Sequence, residues 1–140
     1  MKFNPSVTVE SINAMSKNTL MEHLDIECVE VGSDFIKAKM PVDSRHHQPY
    51  GLLHGGASVV LAETLGSVAA HCSVDSNKYY CVGLEINANH IRSVRDGWVY
   101  GVTTPIHLGK STHIWEIKIT NEEGKLVCIS RITIAILEKK

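Results

Sequence analysis

The sequence predicts a single α+β domain in which a curved, mainly antiparallel sheet wraps around one long central helix. Three observations carry this expectation. The chain has 140 residues, the size of one ordinary domain, and no linker, internal repeat or low-complexity tract divides it, so residues 1–140 are read as one unit. The run from Ala57 to about Ser73, ASVVLAETLGSVAAHCS, carries small or apolar residues on nearly every face, with Glu63 as its one formal charge. Five or six other segments alternate with a period of two, the pattern of strands with one wet and one buried face. A helix that is apolar all round needs a sheet to bury it, and such a sheet needs a layer to cover its apolar face, so wrapping one around the other satisfies both.

The elements follow in order. From Val9 to Leu24 the apolar residues Val9, Ile12, Met15, Leu20, Met21 and Leu24 recur at near-helical spacing, and Thr8 or Ser11 offers a capping hydroxyl, which predicts one short helix with a loose end. Ile26 to Met40 reads as a strand pair turning at Gly32-Ser33-Asp34, with Val29 and Val31 facing inward on the first strand and Ile36, Ala38 and Met40 on the second. Pro41 to Tyr50 lacks periodicity and is a loop. The central helix is roughly 25 Å long at 1.5 Å per residue. Beyond it, strands are expected over Tyr79–Asn89, Trp98–His107, His113–Thr120 and Leu126–Leu137, with Asp96-Gly97 and Glu123-Gly124 as turn residues.

Composition removes several classes of function. The chain is 44% hydrophobic and 21% charged with 10 Gly and 4 Pro, which excludes disorder as its main state. Fourteen Lys and Arg against fifteen Asp and Glu leave a net charge of -1, so there is no bulk field for a nucleic-acid backbone or an anionic membrane. Cys28, Cys72, Cys81 and Cys128 are too scattered for a zinc site and read as free thiols of a reduced, cytoplasmic, soluble protein. The histidines form no His-x-x-x-His pair, and there is no nucleophile elbow, phosphate loop or dinucleotide fingerprint. Neither a metal nor a cofactor is expected.

The informative feature is Glu63. Burying an unpaired carboxylate is costly, so one in the middle of an apolar helix calls for a partner, a gap in the sheet or a chemical role. Upstream, Leu53-His54-Gly55-Gly56-Ala57 opens the same helix with two glycines, where free amides point outward and a ligand can approach the backbone closely. Such a helix start is a candidate oxyanion site. From Gly55 or Gly56 to Glu63 is about two turns, roughly 11 Å along the axis, too far for both groups to meet at one carbon. The pair works only if the two residues come from different subunits, which predicts a dimer with antiparallel central helices. Ser67, four residues on, shares the face of Glu63 and can hold a water beside it.

The run Gln48-Pro49-Tyr50-Gly51-Leu52-Leu53-His54-Gly55-Gly56-Ala57, with Leu61-Ala62-Glu63-Thr64 and Gly66-Ser67, resembles the hotdog-fold acyl-CoA thioesterases of the PaaI type. The resemblance continues through Val82 to His90, the Arg92-Ser93 pair and His107-Leu108-Gly109-Lys110, and covers nearly the whole chain. It is greatest to the bacterial hydrolases of 1,4-dihydroxy-2-naphthoyl-CoA in menaquinone biosynthesis and to their enterobactin-proofreading relatives.

The resemblance implies a hotdog fold, a homo-oligomer (dimer or dimer of dimers) with the site at the subunit interface, and an acyl-CoA or acyl carrier protein thioester as substrate. It makes Glu63 the nucleophile or general base, the Gly55 amide the group that polarises the carbonyl, His54 and Gln48 orienting groups, and Ser67 the residue that assists the water. His90 and Asn89, at the end of one strand, would contact the acyl or pantetheine part, and the small Val68 would leave room for an aromatic acyl group. Arg92, Ser93, Gly109, Lys110 and Ser111 would meet the coenzyme A arm and its phosphates. Two other readings stay open: a dehydratase or hydratase of acyl thioesters on the same fold, and a non-enzymatic acyl-CoA-binding module.

Overall fold

The computed structural model describes residues 3–140. Three helices, α1 (Val9–Ala14), α2 (Leu20–His23) and α3 (Gly55–Ser73), accompany six strands: β1 (Glu27–Val31), β2 (Ile36–Pro41), β3 (Tyr79–His90), β4 (Trp98–Leu108), β5 (Thr112–Thr120) and β6 (Leu126–Glu138). The strands form one sheet in the order β1-β2-β4-β5-β6-β3, with every neighbouring pair antiparallel. The α+β expectation holds, and all the expected strand segments are present within one or two residues.

Alternation places Val99 of β4, Trp115, Ile117 and Ile119 of β5, and Ile132 and Ile134 of β6 on the concave face, where each is essentially inaccessible to solvent. Helix α3 lies across that face and buries Leu61, Ala62, Leu65, Ala69 and Ala70 against it. Small residues let the two layers close up. A β carbon on Gly66 would come within 2.5 Å of Ile132 Cγ2, and one on Gly101 within 2.6 Å of Leu65 Cδ1, so any side chain at either point would lift the helix from the sheet.

Three details differ from expectation. The first helical segment is two helices: Asn18 takes a left-handed backbone (φ 62°), and Thr19 caps a new helix, as Thr8 caps the first in a reciprocal pair with Ser11. On β1 it is Cys28 that is buried while Val29 is exposed, because a bulge between Cys28 and Glu30 breaks the alternation. Third, α3 is not covered all round. Gly56, Glu63 and His71 are exposed and Ser67 is half-buried, and their spacing of seven, four and four residues puts them on one stripe.

Among the described residues no helix is long and apolar enough to cross a membrane. Cys28, Cys72 and Cys128 are buried free thiols, and burial raises the pKa of each, Cys72 to about 11, which keeps them protonated and unreactive.

Candidate active site

The loop ahead of α3 is fastened at several points, and these determine where the helix begins. His46 is fully buried. Its Nε2 donates to the Leu24 carbonyl (2.8 Å) while Nδ1 accepts the Asp43 N–H (3.2 Å), so both ring nitrogens are engaged and the ring orientation is fixed. The His46 carbonyl accepts the His54 N–H (2.7 Å), and Leu53 N–H donates to the Val94 carbonyl (2.7 Å). Arg45 reaches Asp43 (2.8 Å) and Asp25 (3.0 Å), and its hydrogen bonds hold the Asp43 carboxyl well below the usual range.

Within this frame Gln48 makes a tight turn. Its N–H donates to Leu52 O, Gly51 N–H returns to Gln48 O with Gly51 at φ +77°, and its side-chain Oε1 accepts the Tyr50 N–H. The side-chain NH2 is left as the donor available to a ligand.

At the helix start, His54 is the N-cap: its Nδ1 accepts the Gly56 N–H at 2.7 Å. One of the two glycine amides is therefore used inside the chain. Gly55 N–H, at the first helical position, is among those a helix cannot satisfy internally, with the positive end of the dipole behind it. The His90 ring lies over Gly55, close enough that a β carbon there would stand 2.8 Å from His90 Nε2. Glycine at 55 is what allows the imidazole and the backbone amide to share one spot.

These groups line a cleft of about 280 Å³ at the N-terminal end of α3. It brings together Gln48, Gly55, His90, Arg92 and Ser93 of the sequence-derived set and adds Ser58. Arg92 donates from Nη1 to the Leu126 carbonyl (2.6 Å), which orients the guanidinium and leaves its other nitrogens free for an anion. Leu52, Leu53, Ile91 and Val127 form the apolar walls. Ser58 was discoverable in the sequence, since it stands three residues after Gly55 on the same helix face. Val127 was not: it reaches the cleft only because β6 pairs with β3 next to His90.

The other expected residues lie elsewhere in the single chain. Glu63 and Ser67 are on the open stripe of α3, outside this cleft. The ion pairs among the described residues use Asp25, Glu27, Asp43 and Glu123, so none of the described cations pairs with Glu63. Its Oε2 instead rests against β3, 3.0 Å from where a β carbon of Gly83 would stand. His54 is exposed and engaged as a cap, and Asn89 is exposed on β3 but does not line the cleft.

Val68 faces a small apolar void closed by Ile12, Met21 and Cys28. Gly109, Lys110 and Ser111 form the β4–β5 hairpin at the opposite end of α3, where Gly109 and Lys110 border a second cleft of about 440 Å³ with Ser73, Tyr79 and His113. Burial pushes the His113 imidazole below its usual pKa, helped by the neighbouring His107. Among the described residues no group of three or more His, Cys, Asp or Glu is placed to hold a metal ion.

A single antiparallel sheet of six strands curved about one long helix is the architecture of the hotdog fold. Residues 50–128, more than half of the chain, match the thioesterase superfamily, and the chain belongs to that family.

The chain is 58% identical over 134 residues to a Vibrio cholerae protein that carries only a general esterase name, covering 96% of this chain and 89% of that one. It is 51% identical over 137 residues to the 1,4-dihydroxy-2-naphthoyl-CoA hydrolase of Escherichia coli (98% and 100% covered). To the proofreading thioesterase EntH of Cronobacter turicensis it is 50% identical over 131 residues (94% and 95%). The crystal structure of a mutant thioesterase from Pseudomonas aeruginosa superposes with a TM-score of 0.97 at 47% identity, covering 99% of this chain and all of that one. The protein is a thioester hydrolase.

Proposed function

We propose that the protein hydrolyses an aromatic acyl-CoA thioester, with 1,4-dihydroxy-2-naphthoyl-CoA as the first candidate, in the cytoplasm and as an oligomer whose active site is shared between two copies. The observation that carries the reading is the separation of the two halves of the chemistry: Gly55 lines the cleft at the helix start, while Glu63 stands two turns away on a stripe of α3 that the chain leaves uncovered. Two antiparallel α3 helices side by side would bring Glu63 of one copy to Gly55 of the other, and β3, an edge strand with Tyr80, Val82 and Leu84 exposed, offers the surface for joining them.

In this arrangement the thioester oxygen accepts the Gly55 N–H, with Gln48 and His90 beside it. Either Glu63 attacks the carbonyl carbon or it takes a proton from an attacking water held by Ser67. The carbon–sulfur bond breaks, coenzyme A leaves as its thiol, and the second oxygen of the acid comes from water. His54 acts through the helix start that it caps. Arg92 and Ser93 take the coenzyme A arm, with the Arg92 guanidinium at its nearer phosphates. Gly109, Lys110 and Ser111 lie at the Tyr79 end of β3, the end that an antiparallel partner would set beside His90, and from there would meet the far phosphates.

Val68 borders the acyl group, and its small side chain favours a ring. Relatives of nearly equal identity carry different functional names, so the acyl group is fixed by assay: thiol release from aromatic and aliphatic acyl-CoAs and from an acyl carrier protein thioester. Fast release from aroyl-CoA is the expected result; release only from aliphatic or carrier-protein thioesters overturns the assignment. An enoyl-CoA tests the hydratase reading, and binding without turnover would mark a binding module.

A further inference from the structure

We propose that Gly83 is the positioning residue for the Glu63 carboxylate, and that its missing side chain serves turnover rather than the fold. This rests on the reading of Glu63 as the catalytic carboxylate. Glycine inside a strand weakens it, and usually marks a bulge or a close approach by another group. Both occur here. The β3–β6 register shifts just after Gly83, which faces Ile134 while Glu85 faces Thr133, so Leu84 is the extra residue. Above the strand, Glu63 Oε2 occupies the space beside the glycine, 3.0 Å from the position of a β carbon.

The backbone itself does not require glycine. Positive φ among the glycines is confined to Gly51, Gly97 and Gly124, so alanine fits the dihedrals at 83 and is the better strand former. Nor does the helix yield to a methyl group by rising, since that would open the close contacts of Gly66 with Ile132 and of Leu65 with Gly101 that hold α3 on the sheet. What can move is the Glu63 side chain, which is exposed and, among the described residues, not ion-paired. A methyl at 83 therefore turns the carboxylate away from its place at little cost to stability.

The test compares Gly83→Ala with the unaltered protein, using benzoyl-CoA as the probe, for kcat, KM, unfolding midpoint and oligomer size. A carboxylate pushed back by a few tenths of an ångström is expected to lower kcat by about tenfold with KM unchanged within about twofold. Midpoint and oligomer size should stay as they were. In a Glu63→Gln background the same substitution should cost nothing further. Glu63→Asp, one methylene shorter, should lose less activity in the Gly83→Ala chain than in the unaltered one.

The proposal is overturned by near-normal kcat in Gly83→Ala, by an equal loss in the Glu63→Gln background, or by loss of the fold or the oligomer in step with activity. If Glu63→Gln itself turns over normally, the catalytic reading of Glu63 has failed and Gly83 falls with it, an outcome distinct from a failure of Gly83 alone.

Discussion

Helix α3 has two faces that follow different rules. The inner one, with Leu61, Ala62, Leu65, Ala69 and Ala70, is shut against the sheet and carries no charge, its one thiol, Cys72, being held protonated by burial. The outer stripe of Gly56, Glu63, Ser67 and His71 is open in the single chain and carries the helix's carboxylate. In the sequence the two faces differ by little more than Glu63, Ser67 and His71 in a run of small and apolar residues. The inner face holds the domain together through packing density, whereas the outer one holds a charge cheaply because solvent, or a second copy, completes its surroundings. Stability and chemistry are thus separable along one element of 19 residues.

The sharpest way to break this separation is Glu63→Gln. Turnover should fall by about 10²–10⁴-fold, the usual contribution of a positioned acid or base, while the unfolding midpoint stays within experimental scatter. A large loss of stability would show the outer face to be structural after all. Leu65→Ala probes the inner face: removing a buried leucine should cost about 2–5 kcal/mol in denaturant unfolding, with kcat per folded molecule preserved. Arg92→Ala should raise KM for acyl-CoA by about tenfold, or about 1.4 kcal/mol, and leave kcat nearly unchanged; an equal effect on a short substrate lacking the nucleotide would remove Arg92 from phosphate binding.

The smallest effect lies away from both faces. Asp43 is held below its ordinary pKa of 3.8 chiefly by its hydrogen bonds to Arg45. A depressed carboxylate contributes stability above its unfolded pKa and loses it as pH falls through the folded one. Asp43→Asn should therefore flatten stability below about pH 4, by less than about 1 kcal/mol because the pair is exposed to solvent.

Much of this was legible before any coordinates. Strict alternation in Trp115, Ile117 and Ile119, and in Ile132, Ile134 and Ile136, marks inward faces because a strand repeats every two residues. Gly97 and Gly124, both at positive φ, sit in the turns expected from Asp96-Gly97 and Glu123-Gly124. The Gly55–Glu63 distance along the helix followed from rise per residue alone, and it is what leads to the proposal of a site shared by two copies. The break at Asn18 and the bulges at Cys28 and Gly83 were not legible, since each depends on how a neighbour packs. A helical pattern or an alternating one continues across such points without a mark in composition.

What the sequence determined by itself is therefore local and periodic: which segments are strands, that α3 is a helix with glycines at its start, and that one carboxylate interrupts an apolar run. Only the tertiary structure decided which side of α3 is covered, that His90 from β3 lies over Gly55, that His54 spends its ring on capping, and that the Gly109 hairpin stands at the far end from Arg92. The physical reason is that periodicity records the face on which a residue sits relative to its own backbone. Which other element lies against that face is a long-range matter of sheet order, set by pairings such as β3 with β6 that no local pattern encodes.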